Sequence, residues 1–279
     1  MFTLFAAEKS PHVSLPAEEI FSIGGFPITN SIITGVIGFG LLLWMFFWVA
    51  GKVKREERNR FVSFVQWIFE LLYKTVEDVI GDKATARRLA PLAITIFFFV
   101  LVQYWVGILP VVGPLTWHGT PIFRSLVADL NTTFALAIIT MVMVQLYAIR
   151  VHGFFGNLGR YFRNPFKDVV GAFEGVLEFV AEFSRFVGLS LRLFGNVFAG
   201  EVLLMMIAFL TVYASPIFLP PFYIFELFIG AVQAYIFFML TIVFISLGLV
   251  KHGHDGEHES DHSLPDTHKR KTVTSGNEA

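Results

Sequence analysis

Arg192, Asn196 and Glu201 interrupt an apolar run, Phe186–Tyr213, that otherwise admits only small hydroxyls such as Ser190, and Glu226 and Gln233 interrupt the next apolar run. A charged side chain at mid-membrane costs about 2.5–3.5 kcal/mol even on the lenient insertion scale, so such residues mark a functional position. Carboxyls in series within a bilayer are the groups from which proton relays are built. The chemistry these residues point to is proton uptake and release by carboxyls buried in a membrane.

Helical spacing sorts them. Nine residues at 100° each set Glu201 about 180° from Arg192 and about 13.5 Å along the axis, so the two do not neutralise one another. Asn196 lies about 40° from Arg192, and Arg185 and Glu178 lie within about 40° on the other side. Glu178, Glu182 and Arg185, spaced four and three apart, also make an ordinary surface pairing set, so a structural role stands beside the functional one. Glu226 and Gln233 are seven apart and share one face, which Phe244 joins.

The elements that hold these side chains must be membrane helices. The chain has 279 residues, 55% hydrophobic and 15% charged, with 33 Phe. A soluble domain carries about 25% charged residues. A net charge of −1 offers no basic stripe for nucleic acid. The absence of Cys excludes disulfide frameworks, thiolate metal sites and cysteine nucleophiles. No HExxH metalloprotease motif or phosphate-binding loop occurs.

Runs long enough to span occur at 28–50, 91–109, 127–149, 169–213 and 221–249. The stretch 61–80 differs: Ser63, Gln66, Glu70, Lys74, Glu77 and Asp78 form one polar stripe on an otherwise apolar helix, the pattern of a helix lying in the membrane interface. The fold class expected is therefore all-α and polytopic, with five embedded helices and one interfacial amphipathic helix. The run 169–213 would reach about 68 Å, more than twice a hydrocarbon core of about 30 Å, so the last two helices are expected to form a strongly tilted hairpin. Placing its turn at the Pro-rich segment Ser215–Pro221 folds it about Ile217–Phe218 and sets Gln233 opposite Glu201 or its neighbour, not opposite Arg192.

Five spans put Lys9 and Arg124 on one side. The other side receives the basic loop 52–60, Arg150, Arg160, Arg163, Lys167 and the basic tail. The basic side is cytoplasmic, so the N-terminus is outside and the C-terminus inside. Making 61–80 a sixth span would spoil that asymmetry. The division is an outer segment 1–27, a membrane domain 28–250 and a cytoplasmic tail 251–279 that reads as disordered. His254, His258 and His262 in the tail have helical metal-ligand spacing but no helical context, and read as a solvated tail. No metal or other cofactor is expected. The lack of a transit peptide points to a bacterial plasma membrane, with an organelle-encoded chain as the alternative.

Ser190–Glu201, SLRLFGNVFAGE, together with Gln233–Thr241, QAYIFFMLT, resembles subunit a of the F-type rotary ATP synthases, and Ala128–Ala137, ADLNTTFALA, resembles that family's third span. The resemblance implies a stator beside a rotating c-ring, with protons entering by one half-channel and leaving by a second. It implies that Arg192 faces the ring and prevents a short circuit between them. Asn196, Glu201, Glu226 and Gln233 would line the outer half-channel, and Glu178 the inner one. Glu182, Ser190 and Phe244 are further candidate lining residues. The implied partners are the c-ring, the peripheral-stalk b subunits and the rest of the complex, within the lipid bilayer. The transported ion would be H⁺, and the chain would be no enzyme on its own. Three features depart from the family pattern. Glu201 and Glu226 replace a common Glu/His couple, Phe186 stands where Pro is common, and Phe244 where Tyr is often found. The resemblance also sets Gln233 close to Arg192, in conflict with the symmetric hairpin above. From the residues alone, two other readings remain: a stand-alone helical ion or anion transporter in which Arg192 binds substrate, and a membrane scaffold with structural charges.

Overall fold

The computed structural model describes residues 14, 16–23, 25–57, 59–109, 116–117, 120–121, 123–154 and 169–249. Among these, six long helices carry the fold: α1 (Asn30–Lys54), α2 (Arg60–Ile80), α3 (Lys83–Gly107), α4 (Leu130–His152), α5 (Val169–Thr211) and α6 (Ser215–Leu249). All but α2 are long and apolar enough to cross a membrane. The all-α polytopic architecture expected from the sequence is the one observed. The tail with its histidines, and the basic positions 160, 163 and 167, lie outside the described residues.

Core packing centres on α3, which contacts α1, α2 and α6. Lipid is as apolar as a core side chain, so membrane helices associate through close fit rather than escape from water. Phe97 and Phe98 of α3 show this, meeting Phe238 of α6 and Phe46 of α1 edge to face. Hydropathy marks the span from Pro91, but the helix begins eight residues earlier. Asp82 caps it, accepting from the amides of Ala84 at 3.3 Å and Thr85 at 2.9 Å. The Thr85 hydroxyl and these amides hold the Asp82 carboxyl below its usual range. Pro91 sits inside α3, where its carbonyl accepts from the Thr95 hydroxyl at 2.6 Å.

Helix α2 presents three faces. Val62, Val65, Leu72 and Val76 are buried against the bundle, Phe64, Trp67 and Leu71 are exposed and apolar, and the polar stripe occupies the remaining arc. That division suits a helix touching protein, lipid and water at once.

Helices α5 and α6, of 43 and 35 residues, extend about 64 Å and about 52 Å, so both must tilt or project beyond a bilayer. Their turn is the short 3-10 segment Val212–Ala214, not Ser215–Pro221. The earlier placement took Pro220 and Pro221 as helix breakers, whereas both lie inside α6. Pro216 falls in its first turn, where a missing N–H costs nothing.

Two small antiparallel hairpins, absent from the sequence reading, sit at one end of the bundle. Glu19–Ile23 pairs with Phe26–Thr29, and Thr116–Trp117 with Thr120–Pro121. Gly25 turns the first at φ 88°, a conformation glycine adopts freely. Buried Asn30 joins the two. Its Oδ1 accepts from the Glu18 amide at 3.3 Å, and its Nδ2 donates to the Pro121 carbonyl at 3.2 Å.

Candidate functional site

The α5–α6 seam fixes the first carboxyl. Glu226 is buried and accepts from the Tyr104 hydroxyl of α3 at 2.5 Å. Its carboxyl presses on the α5 backbone at Gly200, where any Cβ would collide with it. Tyr104 in turn lies over Gly230, where a Cβ would stand 2.5 Å from the ring. Glycines at 200 and 230 are thus what allow the carboxyl and the phenol to meet between α3, α5 and α6.

The second carboxyl, Glu201, follows Gly200 on α5. Its Oε1 accepts from the Ser125 amide at 3.0 Å and its Oε2 lies 3.8 Å from Arg124 Nε. The Arg124 guanidinium donates to Pro16 O at 2.7 Å and Ala128 O at 3.4 Å, and lies 5.9 Å from the Phe198 ring. Its backbone amide donates to Thr34 Oγ1 at 3.2 Å. One side chain therefore ties the N-terminal segment and the 3-10 turn Leu126–Ala128 to the carboxyl of α5. The sequence reading missed Tyr104, Arg124 and Ser125. Tyr104 follows Gln103 in an apolar run, which was a usable signal. Arg124 entered the reading only as a loop charge, because nothing in the sequence reveals that its loop folds back onto α5.

Gln233 meets Asn196, whose Nδ2 donates to Gln233 Oε1 at 2.7 Å. The midpoint of that pair falls between Ala214 and Ser215, in agreement with the shorter turn. Gln233 therefore stands one helical turn from Arg192 rather than opposite Glu201. Arg192 itself was expected to be buried; within this chain it is exposed. It shares its face with exposed Gly188, Gly195, Asn196 and Ala199.

At the other end of α5 a second polar group forms. Glu182 Oε2 accepts from Gln145 Nε2 of α4 at 2.8 Å, and the Arg185 guanidinium lies 5.5 Å from the Phe244 ring of α6. These side chains, with Met141 and Val144, line a small cleft. Arg185 is turned to Phe244 instead of closing an ion pair with Glu182, as the surface-pairing alternative required. Glu178 is half-buried one turn further along α5. Ser190 is buried and donates to Thr133 Oγ1 at 3.1 Å, so it braces α5 against α4. Among the described residues no group of three His, Cys, Asp or Glu side chains gathers to hold a metal.

Nineteen residues separate Glu182 from Glu201, about 28 Å of helix, close to the thickness of a hydrocarbon core. Arg192 is midway between them. Five apolar helices with polar clusters at opposite ends of one long hairpin define a polytopic membrane protein with ionisable groups placed in depth. The sequence profile of the ATP synthase A chain family matches residues 31–246, and the chain belongs to that family. It is similar to ATP synthase subunit a of Acinetobacter baylyi, 32% identical over 237 residues, covering 77% of this chain and 81% of the relative. The Acinetobacter baumannii protein of the same name is 30% identical over 257 residues, covering 85% and 88%. That of Marinomonas sp. is 32% identical over 238 residues, covering 81% and 83%. The family membership identifies the chain as a component of an ATP synthase.

Proposed function

We propose that this chain is the stator subunit that conducts protons to and from a rotating c-ring through two offset half-channels. The observation that carries the reading is the arrangement along α5. Carboxyls Glu201 and Glu226 are gathered at one end and Glu182 and Glu178 at the other, with Arg192 midway between and turned outward.

In this reading the outer half-channel is lined by Glu201, Glu226, Asn196 and Gln233, and the inner by Glu178 and Glu182, with Ser190 and Phe244 beside it. The exposed strip around Arg192 is the surface for the ring. Small neighbours at 188, 195 and 199 let a partner helix approach its guanidinium closely. A fixed cation there draws a ring carboxylate into its ionised form and favours release of its proton. It also repels a proton that would cross directly between the half-channels. ATP formation itself belongs to a soluble assembly of the complex. Peripheral-stalk b subunits are the other proposed membrane partners, the ion is H⁺, and the site is a bacterial plasma membrane with the N-terminus outside and the C-terminus cytoplasmic.

Arg192→Ala in membrane vesicles tests this, with assembly verified by native gel. Proton-driven ATP synthesis is expected to fall to background in an assembled complex, while passive proton leak persists. Unchanged synthesis in an assembled complex would overturn the reading.

A further inference from the structure

Helices α3 and α4 each pack on α6 and hardly on one another. At one end of the bundle Tyr147 of α4 reaches across the gap, its hydroxyl 3.5 Å from the Arg88 carbonyl oxygen of α3. The Arg150 guanidinium lies over the Tyr147 ring, 5.7 Å from its centroid. One tyrosine therefore gathers Arg88 and Arg150, from different helices, at a single corner. Both arginines are exposed, and neither has a carboxylate within ion-pair distance among the described residues. Asp82 feels the Arg88 charge but spends both its oxygens on capping α3. The positive-inside bias accounts for the side on which these arginines lie. It does not account for two unpaired guanidiniums sharing one tyrosine.

From this corner an apolar crevice runs along the two helices. Pro91 and Thr95, three and seven residues after Arg88, share its face of α3 and are exposed. The Thr95 hydroxyl is turned onto Pro91 O, so it offers lipid no free donor. Met143 is half-buried one turn before Tyr147 on α4, with Ile139 and Leu146 exposed beside it. The depth of the corner suits a headgroup. Gln145 holds Glu182 at one edge of the hydrocarbon core, and Arg150 lies five residues, about 7.5 Å, beyond Gln145. The headgroup layer is about 5–8 Å thick on each side of that core. Guanidinium forks match phosphate oxygens in geometry and charge. Pro91 has no N–H, so the Arg87 carbonyl lacks its α-helical donor and can accept from a headgroup hydroxyl. A zwitterionic headgroup would instead bring a further cation to a corner that already holds two.

We propose that this corner binds an anionic phospholipid of the phosphatidylglycerol type, its phosphate held by Arg88 and Arg150 and an acyl chain lying in the α3–α4 crevice. The lipid fills the gap between two helices that brace α6 without bracing each other. The site goes beyond the stator reading and does not depend on it.

The intact complex is reconstituted into phosphatidylcholine vesicles that contain a trace of either phosphatidylglycerol or phosphatidylcholine bearing a photoreactive acyl chain. Labelled peptides of this subunit are then mapped by mass spectrometry. Labelling of residues 91–95 and 139–147 is expected to be severalfold heavier with the phosphatidylglycerol probe. In Arg88→Gln and in Arg150→Gln it is expected to fall to the phosphatidylcholine level. Lys74→Gln removes an exposed cation from the polar stripe of α2 and is expected to leave the labelling unchanged. Equal labelling by the two probes overturns the site, as does labelling indifferent to both arginines. A matching fall in Lys74→Gln overturns it too, since general surface charge would then explain the preference. Absence of label from both segments would mean that a neighbouring subunit covers the crevice, and also overturns it. Comparing the two probes on the unsubstituted complex needs no variant, so the test survives a substitution that disturbs assembly. Arg192→Ala is labelled in parallel and is expected to keep the preference whatever its synthesis, which separates failure of this site from failure of the stator reading.

Discussion

The two faces of α5 are built on opposite rules. On the face turned into the bundle, each polar side chain is held by another element: Glu182 by Gln145, Ser190 by Thr133, and Glu201 by Ser125 and Arg124. Between them Leu189, Leu193 and Val197 fill the core. On the outward face Arg192 has no carboxylate within ion-pair distance among the described residues, and glycines at 188 and 195 have open space around them. The inward face fixes its charges in place, whereas the outward face leaves one available. An unneutralised cation on that face is what the stator reading requires, since a ring carboxylate would pair with it there. Arg192→Ala removes that feature and has the largest expected effect, complete loss of coupling.

The next test sets two glycines of α5 against each other. Gly195→Ala adds a methyl where nothing lies within 4 Å, so the subunit's own stability should change by no more than about 1 kcal/mol, in the favourable direction set by helix propensity. Gly200→Ala drives a methyl into the Glu226 carboxyl and should destabilise by about 1–3 kcal/mol through overpacking. Denaturation in detergent measures both. Equal stabilities for the two variants would show that the faces are not distinct. In the assembled complex the Gly195 variant is expected to impair coupling despite its intact fold, because it crowds the surface proposed for the ring.

Arg124 anchors the outer end of the inward face. Arg124→Met keeps the length of the side chain but removes the charge beside Glu201 and the donors to Pro16 and Ala128. Losing hydrogen bonds to a charged group costs about 1.5–3 kcal/mol. Hydrogen exchange is expected to rise around residues 16–30 and 123–130, with proton-driven synthesis reduced but not abolished. Unaltered exchange there would deny Arg124 its place as the tie between loop and helix.

The sequence made these two faces partly legible. Counting 100° per residue separates Arg192 from Glu201 correctly, because both lie on one uninterrupted helix where register carries over any distance. It also groups Glu226 with Gln233, both of which are buried. What it misses lies between elements. The Asn196–Gln233 contact depends on where the chain turns, and a turn centred three residues too late slides α6 along α5 by about six residues, more than one and a half helical turns. Pro220 and Pro221 caused that error, since a proline pair reads as a stop although both fit within α6. Tyr104, Arg124 and Ser125 are a different kind of miss. They reach the carboxyls from α3 and from a loop whose path no local periodicity encodes.

The smallest expected effect comes from the inner end of the inward face. Gln145→Leu keeps the volume and apolar contacts of the site but takes the donor from Glu182. A single hydrogen bond to a charged group contributes about 1.5–3 kcal/mol, so the variant should still assemble. Glu182 lies in a cleft beside Arg185 and Phe244, and the guanidinium is the next donor able to reach it. If Arg185 swings from the Phe244 ring to Glu182, the new ion pair offsets much of the loss and synthesis falls only slightly. The double variant Gln145→Leu with Arg185→Met removes both donors and is then expected to lose more than the two single losses combined. Strict additivity in that cycle would mean that Arg185 never takes over, and that the inner carboxyl is held by Gln145 alone.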